Sequence, residues 1–405
     1  MTQQLPLADV KILDFMWVIA GPASTRMLAD YGATVVRLES THRFDATRTV
    51  GPFHDGKPGL ENSGLFFNMN TGKRMLTLDI TKPEARDVIL DLVRWADIVT
   101  ESFSPRAMRA HGYDYDSLRK VNPNLIMLSS CLMGQTGPMA HFAGFGNLAA
   151  AIVGFTNIAG WPDRPPAGPF GAYTDYIAPW FTASALLAAL EYRHRTGQGQ
   201  YIDFSQAEAA LHFLTPGLLD TALNKRPQQR MGNRDRNYAP HGVYPTALSH
   251  SWIAIAVTSE AQWSSLCTAM ARPELSTDAR FATMSARLAQ QDTLDEMLTN
   301  WTKTHDPSQL ETLLQSQRVP ASVVQTMHEL ARDPQLTHRS HLVQLSHPTY
   351  GTTTVEGSRF RLSRTPARIE GSAPTSGRDN QQVLETVLGY SDERITELVA
   401  SGALE

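Results

Sequence analysis

The chain has 405 residues, with 36 Lys and Arg against 40 Asp and Glu and a formal net charge of −4. That length predicts more than one domain, and the charge balance argues against nucleic-acid binding as the main task, which needs a basic field. Hydrophobic residues make up 42%, enough for a full core, and the two cysteines, Cys131 and Cys267, build neither a disulfide framework nor a four-ligand zinc site.

Met1–Asp9 lacks the charged-then-apolar order of a secretory leader, and no uncharged apolar run reaches membrane-spanning length. The expectation is a cytoplasmic protein with no membrane, nucleic-acid or metal partner.

Val10–Phe15 reads as a buried strand, Gly21-Pro22 as a break, Ala23–Tyr31 as a helix closed by Gly32, and Thr34–Leu38 as a second strand. Strand, helix and strand within about 30 residues make a βαβ unit and imply a parallel sheet. Met75–Asp79 is a further strand. Thr81 and Glu84 then have capping-box spacing, with Pro83 in the first turn. Ala85, Val88, Ile89, Leu92, Val93 and Ala96 follow at three- and four-residue steps, one face of a helix. Short strands are expected in Asp97–Glu101 and Leu125–Ser130. The first half is thus a doubly wound, Rossmann-like α/β domain.

Ile177–His194 reads as a long helix closed by Gly197, and Tyr201–Phe204 as a strand. Ser205 and Glu208 open another helix through Leu214. Lys225–Asn237 is polar and Arg-rich, as linkers are. A smaller α+β segment follows, with a strand at Trp252–Val257 and helices near Glu260–Ala271 and Ser308–Ser316. The tail has short strands near Thr352–Leu362 and a helix at Ser391–Ala400. The predicted division is 1–215, a 216–237 linker, a small domain at 238–325, and a return to the large domain over 326–405.

Gly144-Phe145-Gly146-Asn147-Leu148-Ala149 has the G-x-G-x-x-A pattern, but Pro138–Ala143 before it is not strand-like, so a dinucleotide site is disfavoured. His338 and His341, with His347 nearby, could suggest a metal, but the pair lacks an acidic partner at helical spacing and reads as surface histidines. No serine-hydrolase elbow or phosphate-binding loop occurs. Asp175 lies between the Gly/Pro-rich run Pro165–Gly171 and a long helix. Local sequence alone favours a helix N-cap there. The competing reading is a nucleophile beside a backbone that a ligand can approach.

The ordered set of motifs resembles class III CoA-transferases, the family of formyl-CoA transferase, carnitine CoA-transferase and α-methylacyl-CoA racemase. It runs from Leu13-Asp14-Phe15 and Ala20-Gly21-Pro22 through Leu28–Ala33, Asn70–Arg74, Glu101–Pro105 and Gly134–Pro138. It continues in Arg195–Gln200, Gly232-Asn233-Arg234, Asp333-Pro334-Gln335, His347-Pro348 and Leu388-Gly389-Tyr390. The resemblance implies an interlocked homodimer, a large domain built from both chain ends, and Asp175 as catalytic carboxylate. It implies coenzyme A and acyl-CoA as substrates, with no tightly bound cofactor.

By matching position, Trp17, Val18, Ala20, Arg37, Lys73, Arg74, Phe103 and Arg109 are expected to bind CoA. Ile19, Phe145, Tyr238, His241 and Gly242 are expected near the acyl group, with Arg234 and Arg236 as further carboxylate partners. Phe145 stands where the racemase branch needs a proton-exchanging histidine, which argues for transfer. Three activities fit: CoA transfer between acids, with succinyl-CoA as the favoured donor and a dicarboxylic or aromatic acid as acceptor; an acyl-CoA isomerase or racemase of the same fold; and a non-catalytic subunit of a heteromeric transferase.

Overall fold

The computed structural model describes residues 4–405, which divide into two compact units. One takes the chain up to Thr156, then Gly168–Pro227 and Gln335–Glu405; the other takes Asn157–Ala167 and Gln228–Pro334.

In the first unit, β1 (Lys11–Phe15), α1 (Ala20–Ala29), β2 (Thr34–Glu39), α2 (Gly64–Asn70), β3 (Arg74–Thr77), α3 (Pro83–Trp95) and β4 (Ile98–Glu101) come in order. After two single-turn helices, α4 (Ala107–Ala110) and α5 (Tyr115–Leu118), come β5 (Ile126–Cys131), α6 (Gly146–Ile152) and the short α7 (Phe155–Ile158). The long α8 (Tyr173–Thr196), β6 (Tyr201–Ser205), α9 (Gln206–Leu211) and α10 (Thr215–Asn224) complete this stretch.

The six strands form one parallel sheet in the order β3-β2-β1-β4-β5-β6. Side chains alternate across it, and both faces are dry. Leu13, Phe15, Val36, Leu38, Val99 and Met127 pack with the buried stripe of α3 (Ala85, Val88, Ile89, Leu92 and Val93). Ile12, Val35, Ile98, Ile126 and Leu128 pack with Leu28 of α1 and Ala178, Ala183, Leu186 and Ala189 of α8. Burial on both faces is why these strands read as continuous apolar runs.

The tail completes this unit. Val383, Leu384, Ile395 and Leu398 join the α3 side. The Asp379 carboxylate accepts the Met75 N–H at 2.7 Å, and the Asn380 side-chain oxygen accepts the Thr77 N–H at 2.9 Å. The open edge of β3 is thereby satisfied by chain from some 300 residues downstream. A hairpin of β10 (Leu342–His347) and β11 (Gly351–Glu356) packs Val355 with Phe66 and Phe67 of α2.

The second unit has a three-stranded antiparallel sheet: β7 (His241–Pro245), β8 (Trp252–Ala256) and β9 (Ala321–Val323). Its core gathers Ile253 and Ile255 with Trp263 and Leu266 of the Glu260–Ala269 helix, Leu294, Leu298, Leu310 and Leu314.

Several local expectations are corrected. Helix α1 starts at Ala20, so Gly21-Pro22 lies in its first turn, where proline's missing N–H has no intrahelical partner to lose. Thr81 does not cap α3: its hydroxyl donates to Asp79, and the N-cap is Lys82. Helix α10 occupies the start of the expected linker, with Pro216 in its first turn. Ser205 does cap α9, accepting the Glu208 N–H at 3.3 Å.

Between α8 and β6, a Cβ on Gly199 would sit 2.1 Å from the Leu125 carbonyl oxygen and 2.5 Å from the Asn124 carbonyl carbon. Both are backbone atoms and cannot swing away. Gly199→Ala is expected to cost about 1–3 kcal/mol, measured by urea unfolding; a loss below about 0.5 kcal/mol would show that the β5–β6 approach is not tight.

Candidate active site

The order of the sheet reverses between β1 and β4. Crevices open at such a reversal, beyond the carboxyl ends of the strands. The loop after β1 there supplies Trp17–Gly21, the loop after β4 supplies Ser102–Pro105, and the end of β5 supplies Ser130, Cys131 and Leu132. With Ala140–Phe145, Asp175 and Gln206 they enclose a cavity of about 270 Å³.

Asp175 is in the first turn of α8, whose N-cap is Ala172 without a side-chain cap bond. It is therefore not the helix cap that local sequence favoured. Its carboxylate is bonded by groups of two other helices, α6 and α9. One carboxylate oxygen, Oδ2, faces the Gly146 N–H at 3.4 Å, and Oδ1 accepts a short hydrogen bond from Gln206 Nε2. The residue is 5% exposed. Burial raises its carboxyl above the ordinary value, with Gln206 and the Gly146 N–H offsetting only part of that effect.

The backbone of α6 reaches this carboxylate because residue 146 has no side chain. A Cβ there would lie 2.7 Å from Asp175 Cγ and 2.8 Å from its backbone nitrogen. Thr174 fastens the contact, its hydroxyl donating to the Gly146 carbonyl at 3.1 Å.

The loop after β1 is held from behind by buried charge. Val18 has φ of 73°, a conformation β-branched residues avoid. Its N–H lies 3.1 Å from each carboxylate oxygen of Asp45. Arg37 in turn pairs with Asp45 at 2.5 Å and donates to the Met16 carbonyl at 2.5 Å. Across the cavity, Ser102 Oγ accepts the Trp17 N–H at 3.0 Å, and Glu101 accepts the Phe103 N–H at 2.8 Å. Burial pushes the Glu101 carboxyl up to about 7.

Of the residues expected from sequence, Trp17, Val18, Ile19, Ala20, Phe103, Phe145 and Asp175 all line this one cavity. Arg37 and Lys73 are fully buried and do not line this cavity. Lys73 Nζ bonds to Asp14 at 3.1 Å and to the Pro22 carbonyl at 2.9 Å. Burial works against the Asp14 charge, yet Lys73, Arg37, the Thr25 hydroxyl and the Met16 N–H hold its carboxyl below the ordinary value. Arg74 is half-buried on β3, and Arg109 is exposed at the end of α4; neither lines this cavity.

Tyr238, His241 and Gly242 belong to the second unit. His241 Nδ1 is 2.8 Å from the Asn233 carbonyl, and Arg234 pairs with Asp292 and Asp295 at 2.5 and 2.8 Å, so Arg234 is not a free carboxylate partner. His347 is 2% exposed, beside Phe67 and Tyr350.

Sequence reasoning passed over Gln206, which sits one residue after a correctly read cap. No local signal marks it, because its partner is 31 positions away. A second cavity, of about 220 Å³, shares Trp17 and Phe103 with the first and is lined also by Arg43 and His111.

The fold and site thus define an α/β protein with a desolvated carboxylate at a sheet's reversal point. Comparison with known proteins bears out the resemblance. CoA-transferase family III matches residues 7–380, and the chain belongs to that family. It is 33% identical over 396 residues to the succinyl-CoA–D-citramalate CoA-transferase of Chloroflexus aurantiacus, covering 98% of this chain and 97% of that one. It is also 33% identical, over 383 residues, to the succinate–glutarate CoA-transferase of Agrobacterium fabrum, covering 94% and 95%. Among solved structures, a CaiB/BaiF family protein from Brucella suis superposes with a TM-score of 0.86 at 29% identity, covering 95% of this chain and 100% of that one. The chain is a CoA-transferase. No helix among the described residues is long and apolar enough to cross a membrane.

Two outcomes follow from the close approach of α6. Gly146→Ala is expected to cost about 1–3 kcal/mol of stability and to remove most activity; unchanged urea midpoint and turnover would show that the contact is loose. The second concerns pH. The native carboxyl of Asp175 binds its proton more tightly than the ordinary value of 3.8, so folding takes up a proton above that pH. Stability contributed at this position falls as pH rises through the native pKa. The Tm of wild type minus that of Asp175→Asn should therefore decrease as pH rises above 3.8; a flat or rising difference would contradict a desolvated anion.

Proposed function

We propose that the enzyme moves CoA from an acyl-CoA to a free carboxylic acid through covalent intermediates on Asp175. The observation that carries this reading is a buried carboxylate with no cation beside it, opening onto the cavity formed at the sheet's reversal. A carboxylate stripped of water is a stronger nucleophile than a solvated one. It attacks the thioester carbonyl, the carbon–sulfur bond breaks, and CoA leaves as thiolate with a mixed anhydride left behind. CoA then attacks the Asp175 carbonyl carbon, releasing the first acid and forming an aspartyl thioester. The acceptor carboxylate displaces CoA to give a second anhydride. Return of CoA to the acceptor's carbonyl frees Asp175. Charge and atoms balance at each step, and no water enters.

The thioester end lies against Trp17–Ala20 in this reading, and the Trp17 indole N–H, buried and without a partner, is free to donate to it. The nucleotide end extends into the second cavity, where Arg43 supplies a positive contact and His111 a polar one. Phe145, 60% exposed in the cavity wall, offers no proton exchange, which favours transfer over racemisation. His141 lines the same cavity, with Arg106 Nη2 3.4 Å from its Nε2, and provides a basic rim for the second carboxylate of a dicarboxylic acid. The named relatives act on succinyl-CoA or succinate, which supports succinyl-CoA as donor.

The doubly wound large domain, its continuation over 326–405, the small domain at 238–325, and an interlocked homodimer belong to the same reading. In it Tyr238, His241 and Gly242 approach the acyl group, and the enzyme works in the cytoplasm. A 30% identical relative is the beta subunit of a succinyl-CoA–L-malate CoA-transferase, so activity is to be tested on this chain alone.

With purified chain, succinyl-CoA and a panel of labelled acids, label should enter the acyl-CoA pool. Asp175→Ala should lower that exchange at least about 10³-fold. Retained exchange in the variant would sink the covalent route. Turnover of one acyl-CoA with no free acid would instead indicate an isomerase.

A further inference from the structure

The two oxygens of Asp175 are held unequally. Oδ1 takes the short Gln206 amide bond, whereas Oδ2 has only the longer bond from the Gly146 N–H at 3.4 Å, and the residue lines the cavity. The orientation of that amide is fixed by its other neighbour. Thr174 commits its hydroxyl hydrogen to the Gly146 carbonyl, so its oxygen accepts, and the Gln206 atom 3.2 Å away is the nitrogen. Gln206 is 7% exposed and lines the cavity. An amide group this dry, beside a carboxylate, is aimed rather than solvated.

We infer that Gln206 divides the labour between the two oxygens: Oδ2 is the nucleophile, and Gln206 is the oxyanion donor for every attack on the Asp175 carbonyl carbon. The inference rests on the covalent reading above. When Oδ2 attacks an acyl-CoA, it becomes the bridging oxygen of the anhydride, and Oδ1 becomes the aspartyl carbonyl oxygen.

CoA thiolate next attacks Cγ. The carbon–sulfur bond forms, the carbonyl electron pair moves onto Oδ1, and the Gln206 N–H receives the developing charge. Collapse breaks the bond from Cγ to the bridging oxygen, which departs with the released acid. The acceptor carboxylate then attacks the same carbon with its own oxygen, and CoA leaves. When CoA finally attacks the acceptor's carbonyl, that new oxygen stays on Asp175. Each turnover therefore replaces Oδ2 and keeps Oδ1, provided the carboxylate does not rotate between turnovers. Gln206 prevents that rotation.

The test follows oxygen. Wild type and Gln206→Met, which keeps the volume and removes the donor, are run through many turnovers with succinyl-CoA and an acceptor acid carrying oxygen-18 in both carboxylate positions. The peptide containing Asp175 is then weighed. Wild type should gain one labelled oxygen and no second; Gln206→Met, given time for equal turnover, should gain two. In the variant, kcat should fall about 10²-fold or more, with the KM for succinyl-CoA within about threefold. Single-turnover release of CoA thiolate should be slowed less than formation of the aspartyl thioester, because the first attack falls on the substrate's carbonyl and not on Cγ. A merely structural role would slow both steps alike.

Two labelled oxygens in wild type would overturn the inference without any variant, so failure of Gln206→Met to fold does not shelter it. One labelled oxygen in Gln206→Met, or a kcat within threefold of wild type, would overturn it too. No label in wild-type Asp175 at all would reject the covalent route itself and is thereby distinguishable.

Discussion

The pairing of Arg37 with Asp45 underlies the candidate active site. Both side chains are fully buried, and the pair lies behind the loop that follows β1. Asp45 holds the Val18 N–H and so keeps a β-branched residue at positive φ, while Arg37 holds the Met16 carbonyl. Strained conformations of this kind persist only where their surroundings over-determine them. Behind the first helix turn, Lys73 plays a similar part, tying Asp14 to the Pro22 carbonyl. A buried ion pair is a costly way to hold a loop, since each charge loses its water. What it provides is direction: two hydrogen-bonded charges fix a backbone that no regular secondary structure reaches.

The second constraint is steric. The Gly146 backbone touches Asp175 because there is no Cβ between them. That closeness excludes water from one side of the carboxylate and aims one N–H at it. The same exclusion raises the pKa of Asp175 and so works against folding at neutral pH. Such tension between stability and chemistry is common where a catalytic group must be poorly solvated. At Asp175, Gln206 and Gly146 are the neutral donors that offset part of it.

Much of the large unit was legible. Every strand of the parallel sheet lies within a residue or two of its expected place, because a strand buried on both faces needs a continuous apolar run. The stripe of α3 was legible for the related reason that five side chains at helical spacing must share a face. The errors cluster where a residue's meaning depends on a distant partner. Lys73 and Arg37 were expected at a surface, as charged residues are, and both are buried. Their partners Asp14 and Asp45 are carboxylates in other elements, and a sequence does not show that two elements meet.

By itself, the sequence determined the alternation of strands and helices, the family resemblance, and Asp175 as the residue in question. Those properties are local, or they are ordered along the chain. Only the tertiary structure decided that Asp175 is not a helix cap, that Gly146 and Gln206 face it from 29 and 31 positions away, and that Arg37 and Lys73 are internal supports. The reason is physical: desolvation, hydrogen-bond direction and steric approach belong to pairs of atoms that folding alone brings together.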